Sequence, residues 1–113
     1  MHDVDASGPA FFKCDFCRQP WSDDRPMVEG HQGSLICANC LTIAYTRLVL
    51  HHDADTERVD RCALCLEERD QPGYTSPLDP AIVACLRCVR QSATTLDKDP
   101  DSRWSKPTLT APM

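Results

Sequence analysis

Eight cysteines carry the chemistry open to this chain, and they come as four Cys-x-x-Cys pairs: Cys14/Cys17, Cys37/Cys40, Cys62/Cys65 and Cys85/Cys88. Nineteen residues separate the first pair from the second, and nineteen separate the third from the fourth. Each cysteine of the second half lies 48 positions after its counterpart: 14 to 62, 17 to 65, 37 to 85, 40 to 88. Two intervening residues let a tight turn aim both sulfurs at one point, and two such turns supply a tetrahedron. Four thiolates in that geometry suit zinc and leave no open position for a substrate. The expectation is two zinc ions per chain, one in each half of a tandem duplication.

Eight cysteines could instead form disulfides. Against that, the start Met-His-Asp-Val-Asp-Ala-Ser has neither a basic segment nor an apolar run, so no signal peptide is visible. Paired cysteines in a reducing cytoplasm more often hold metal. Iron in a rubredoxin-like site stays open, although Arg18, Leu41, Leu66 and Val89 stand where a small residue usually follows such a knuckle. No apolar run approaches the roughly 20 residues of a membrane span.

The elements that must position these thiols are small. Each half has under fifty residues, and three Phe, two Trp and two Tyr cannot build two large cores. Metal binding is then part of the folding free energy. Short apolar runs around Gly30 and Gly33 predict a β-hairpin, roughly 26–29 with 33–37, with His31 as a solvated turn residue. Leu41, Ala44, Tyr45 and Leu48 recur at helical spacing, so a helix is expected over 38–52. Ile43 and Leu50 lie off that stripe and Val49 widens it. One small lobe does not need so much apolar surface, which marks Ile43 and Leu50 as candidate partner-binding residues.

The second half repeats the plan: Leu64 stands where Phe16 did, Val83 where Leu35 did, Val89 where Leu41 did. Pro72-Gly73 and Asp79-Pro80 suggest turns on either side of a second hairpin. Val89, Ala93 and Leu96 form one stripe of a helix over 86–97, ended by Asp99-Pro100. The division is then an N-terminal arm, 1–11, whose Phe11-Phe12 pack on the first knuckle; a first finger, 12–50; a polar linker, 51–61; a second finger, 62–97; and a tail, 98–113. That tail is either disordered or an extended strap with Trp104 docked. His51-His52 suits a helix end better than a metal. The fold class is a small metal-stabilised α+β protein of two tandem treble-clef-like fingers, each knuckle, hairpin and helix.

Cys-Asp-Phe-Cys, then Gly-Ser-Leu-Ile-Cys-Ala-Asn-Cys-Leu and a helical run, resembles the amino-terminal zinc-binding domain of the unfoldase ClpX. The resemblance covers residues 12–50 closely and 60–97 only through ligands and spacing. It implies a four-cysteine treble clef with Cys14, Cys17, Cys37 and Cys40 as ligands and Phe16, Ile36 and Leu41 around them. It also implies self-association and binding of substrate proteins and adaptors. Nothing in the 113 residues looks like the G-x-x-x-x-G-K-[ST] of an ATPase, so the implied share is binding, not unfolding.

Charge narrows the partners. The formal net charge is −5, and two four-thiolate zinc sites take it to about −9. Twelve Lys and Arg spread over the chain do not make the clustered basic face that grips phosphates. Three classes of function follow. The first is a non-enzymatic cytoplasmic module that binds other proteins, with no membrane role. A nucleic-acid or transcription-complex finger is the alternative. Redox sensing through zinc release is the third, since no Ser-His-Asp, paired-carboxylate or open-metal constellation is apparent. A copy of the self-associating module is already attached 48 residues downstream, so an intramolecular pseudo-dimer is expected, with Ile43 and Leu50 against Leu64, Val83 or Leu86, or else a homodimer.

Overall fold

A computed structural model describes residues 12–108. The expected arm, 1–11, including Phe11, lies outside the described residues, as do 109–113. In the first repeat, β1 (Met27–Glu29) pairs antiparallel with β2 (Leu35–Cys37), Met27 opposite Cys37 and Glu29 opposite Leu35. A 3₁₀ turn at His31–Gly33 joins them, with Gln32 (φ 55°) and Gly33 (φ 77°) in the left-handed region. Helix α1 (Ala38–Tyr45) follows without a break and continues as a π-turn over Thr46–Leu50. The expected hairpin and helix are both present, each a few residues shorter.

The second repeat has β3 (Gly73–Thr75) antiparallel to β4 (Val83–Cys85), then α2 (Leu86–Lys98). Its ladder sets Gly73 opposite Cys85 and Thr75 opposite Val83. Strand β4 and α2 follow their counterparts by 48 positions, whereas β3 follows β1 by only 46. Two residues have moved from the knuckle side of the hairpin into its loop. Asp79-Pro80, expected to flank the hairpin, therefore lies inside its longer loop, 76–82. The local bonding still repeats: Ser34 N–H donates to His31 O at 3.2 Å and Ile82 N–H to Asp79 O at 3.0 Å. Pro26 and Pro72, just before the strands, accept from Ala38 and Leu86.

One core runs through both repeats. Phe16, Ile36, Leu41, Ala44 and Leu48 from the first are contiguous with Val59, Leu64, Tyr74, Val89, Ala93 and Leu96 from the second. The rings of Phe16 and Tyr74 lie 5.8 Å apart and tilted by 32°, a favourable aromatic separation. Joining two small apolar sets roughly doubles what either lobe could bury alone, so neither depends on its metal only.

The segment 51–61, read as a polar linker, is folded onto this core. Val59 is 1 % exposed, and Thr56 and Asp55 bond along β3, with Asp55 N–H to Gly73 O and Thr75 N–H to Asp55 Oδ2. Its charge is on one side and its single valine on the other. The tail is a strap as far as it is described: Trp104 Nε1 donates to Thr42 Oγ1 at 2.9 Å, tying the end of α2 back to α1. No described helix is long and apolar enough to cross a membrane.

Candidate metal centres

Each metal centre is built by a knuckle and the start of a helix. In the first knuckle Cys14 N–H donates to Gln19 O and Arg18 N–H to Cys14 O, at 3.0 and 2.8 Å. The second repeats these bonds at Cys62 with Glu67 and Leu66, at the same two distances. Closing so tight a turn drives the residue after the second cysteine to positive φ, 61° at Arg18 and 64° at Leu66. Glycine would adopt that conformation freely; a side chain costs about 1 kcal/mol or more there. Sequence reading noticed the missing small residue, and the backbone shows that the turn forms regardless.

The other two thiols come from a helix N-terminus. Cys37 is the N-cap of α1 and Cys85 that of α2, so Cys40 and Cys88 lie in the first turn. Cys40 N–H donates to Cys37 Sγ at 3.5 Å. Unpaired N–H groups and the positive end of the helix dipole thus face the sulfurs, which favours the thiolate. Across each hairpin, Cys37 N–H donates to Cys14 Sγ at 3.3 Å and Cys85 N–H to Cys62 Sγ at 3.4 Å. Phe16 and Leu64 N–H groups add a bond each to the same sulfurs.

These contacts set the acidities. Cys14 is held down to about 2, first by hydrogen bonds from the Cys37 and Cys40 thiols. Cys62 is lowered for the same reason by Cys85 and Cys88. The donors move the other way: Cys37 is pushed up to about 12 and Cys85 to about 11, chiefly by the bond to that first thiolate. Cys40 and Cys88 are raised too, each by bonds to two sulfurs and by burial. In each cluster one sulfur thus accepts hydrogen bonds from two of its neighbours. A divalent cation is the natural replacement for those protons.

The donor set fits zinc. Within each group the four sulfurs lie within 4.8 Å of one another, with Cys17 to Cys37 at 3.6 Å and Cys65 to Cys85 at 4.0 Å. A tetrahedron with Zn–S near 2.3 Å has edges of about 3.8 Å. Disulfides would need about 2.05 Å, and all eight cysteines are free thiols. Cys17 and Cys65 are half-buried and the other six buried, so the sites are closed. The two sites differ in one respect that sequence reading missed. Arg69, paired with Glu67, is held more firmly charged, first by the neighbouring Cys65 sulfur. Trp21 occupies the corresponding position, 48 residues earlier, in the first repeat.

The two candidate partner residues fall apart. Ile43 is 49 % exposed, beside Arg47, Asp55, Tyr74 and Pro77. Leu50 is half-buried at the end of the π-turn. His31 is exposed, and its contribution is main-chain: His31 N–H donates to Leu64 O at 2.7 Å. The ClpX C4-type zinc finger family matches residues 13–49. No curated protein and no solved structure matches the chain significantly. With that match on the first repeat and a second four-cysteine group at 62–88, the chain carries two tandem four-cysteine zinc sites, the first within a segment that matches the ClpX C4-type zinc finger.

Proposed function

We propose that this chain is a non-enzymatic, zinc-stabilised module that binds other proteins in the cytoplasm, as an adaptor or regulator related to the substrate and adaptor binding of ClpX-type fingers. The observation that carries this reading is the exposed apolar face at Ile43. An isoleucine left 49 % exposed on a helix that buries Ala38, Cys40, Leu41 and Ala44 borders a groove of about 590 Å³ with Tyr74, Pro77 and Pro80 of the second repeat. Leu78, in the same loop as those prolines, is 56 % exposed. Both repeats contribute to this face, so it exists only in the tandem protein. Closed four-thiolate sites support a structural role for the metal. The acidic balance and scattered Lys and Arg speak against the nucleic-acid alternative.

Affinity capture from native lysate at about 0.5 M salt, where charge attraction is screened, tests the reading. Ile43→Asp and Leu78→Asp should each abolish capture of the main partner while both zinc ions stay bound. Undiminished capture by both variants would remove this face from the function. Leu50 makes a poorer probe than the sequence suggested, because a charge there would also disturb packing.

A further inference from the structure

A second surface, opposite in character, lies beside the first knuckle. Trp21, 37 % exposed, and Phe12, 44 % exposed, line a groove of about 440 Å³ whose floor is Met27 and Leu35. Trp21 and Met27 continue into a cleft of about 500 Å³ bordered by Asp23, Asp24, Asp99 and Asp101. We infer that this continuous groove binds an extended segment of a partner protein that carries one large apolar side chain followed by Lys or Arg residues. The inference rests on the reading of the chain as a protein-binding module and names the chemistry of a partner at a second site.

The carboxylates are placed in advance. Ser22 and Arg25 close a turn, with Arg25 N–H to Ser22 O at 3.0 Å and Arg25 Nη1 to Pro20 O at 3.1 Å, which holds Asp23 and Asp24 at its tip. From the second repeat, Asp101 N–H bonds Asp99 Oδ1 at 3.0 Å and the Ser102 hydroxyl bonds Leu96 O at 2.7 Å. Among the described residues, the ion pairs of Arg18, Arg47, Arg58 and Arg69 use none of these four carboxylates. Among the described residues Arg103 is the one cation lining the cleft, so the described wall is acidic on balance. An aromatic face next to such a wall suits an apolar anchor with cationic neighbours, since Trp also attracts a guanidinium.

Charge also decides between occupants. The eleven residues before Phe12 carry Asp3 and Asp5 and no Lys or Arg, and residues 109–113 carry no charge. A second copy brings a net −5 before any metal is counted. Each would set like charge against like or leave the carboxylates unmatched. A basic-apolar segment satisfies both halves of the groove.

The test uses the full zinc-loaded chain and two labelled peptides of about twelve residues. One has a central Leu-Phe flanked by Arg, and its counterpart has Glu in place of each Arg. Fluorescence anisotropy should show the Arg peptide binding at least about tenfold more tightly, an advantage that shrinks as salt rises from about 0.05 to about 0.5 M. Trp21→Ala and the double variant Asp23→Asn/Asp24→Asn should each weaken binding about tenfold or more. Zinc content and the circular dichroism spectrum should not change. Equal affinity for the two peptides, no binding, or full binding by Trp21→Ala would each overturn the inference. So would self-association of the chain alone that Trp21→Ala abolishes, which assigns the groove to a second copy. If the groove fails while capture still depends on Ile43, the protein-binding reading stands without it.

Discussion

Gly30 of the first repeat lies so close to Leu64 of the second that a Cβ on the glycine would stand 2.5 Å from the Leu64 carbonyl oxygen and 2.9 Å from its Cα. That same oxygen accepts the His31 N–H. At the position matching Leu64, Phe16 O accepts the Ser76 hydroxyl at 2.6 Å, and Ser76 matches Gly30 at the 46-residue spacing of the outer strands. Each knuckle is therefore gripped, between its two cysteines, by the other repeat's hairpin loop.

Gly30→Ala tests the closeness directly. The Gly30 backbone has φ −99°, so no left-handed strain opposes alanine, and what resists it is contact with Leu64 and with Ser34 Oγ, 2.6 Å from the added Cβ. Pushing two backbones apart should cost about 1–3 kcal/mol. Denaturant unfolding of the zinc-loaded protein should show a lower midpoint with both repeats still melting together. A separate transition for one repeat would argue against a common core.

Removing one metal should be felt at the other. Cys37→Ser is expected to lose one zinc, and Cys85→Ser likewise. Because Phe16 O and Leu64 O are held by the opposite repeat, the remaining site should also loosen, by at least about tenfold in zinc affinity, or about 1.4 kcal/mol. Competition with a chromogenic chelator measures it. Unchanged affinity at the surviving site would mean two independent fingers.

Tyr74 should make stability depend on alkaline pH. Burial, with nearby negative charge, pushes its phenol from the ordinary 10.0 up to about 12. Between those values the unfolded chain has released the proton and the folded chain has not. Stability is thus full below pH 10 and declines as pH rises toward 12. The Tyr74→Phe variant, which keeps the ring beside Phe16, should show a flatter profile. A difference titration placing the Tyr74 phenolate near 10 would contradict this.

The metal chemistry was legible because it depends on spacing alone: Cys-x-x-Cys, nineteen residues, Cys-x-x-Cys, twice. Helix α1 and the π-turn that continues it were legible from Leu41, Ala44 and Leu48, all buried as the period requires. What could not be read was the relation between the repeats. Sequence pattern offered Ile43 and Leu50 as surplus apolar surface, whereas the bonds that grip the two knuckles end on main-chain oxygens at Phe16 and Leu64, which leave no mark in the identity of those two residues. Val59 was lost among the charges of 51–61. Trp21 gave a weak signal, an isolated aromatic between Pro20 and two aspartates, and its neighbours Asp99 and Asp101 arrive from almost eighty positions away.

The two-residue shift between the outer strands goes with a divergence that decides how often each surface occurs on this molecule. A pair of identical fingers would offer each docking surface twice. Here the counterpart of Phe12 is Asp60, that of Ile43 is Gln91, and that of Trp21 is Arg69 or Glu67 according to the spacing counted. Among the described residues, each large exposed apolar position of the first repeat thus meets a polar or charged one on the second. Neither apolar face is therefore duplicated, and a partner that docked on one would find a single site per chain.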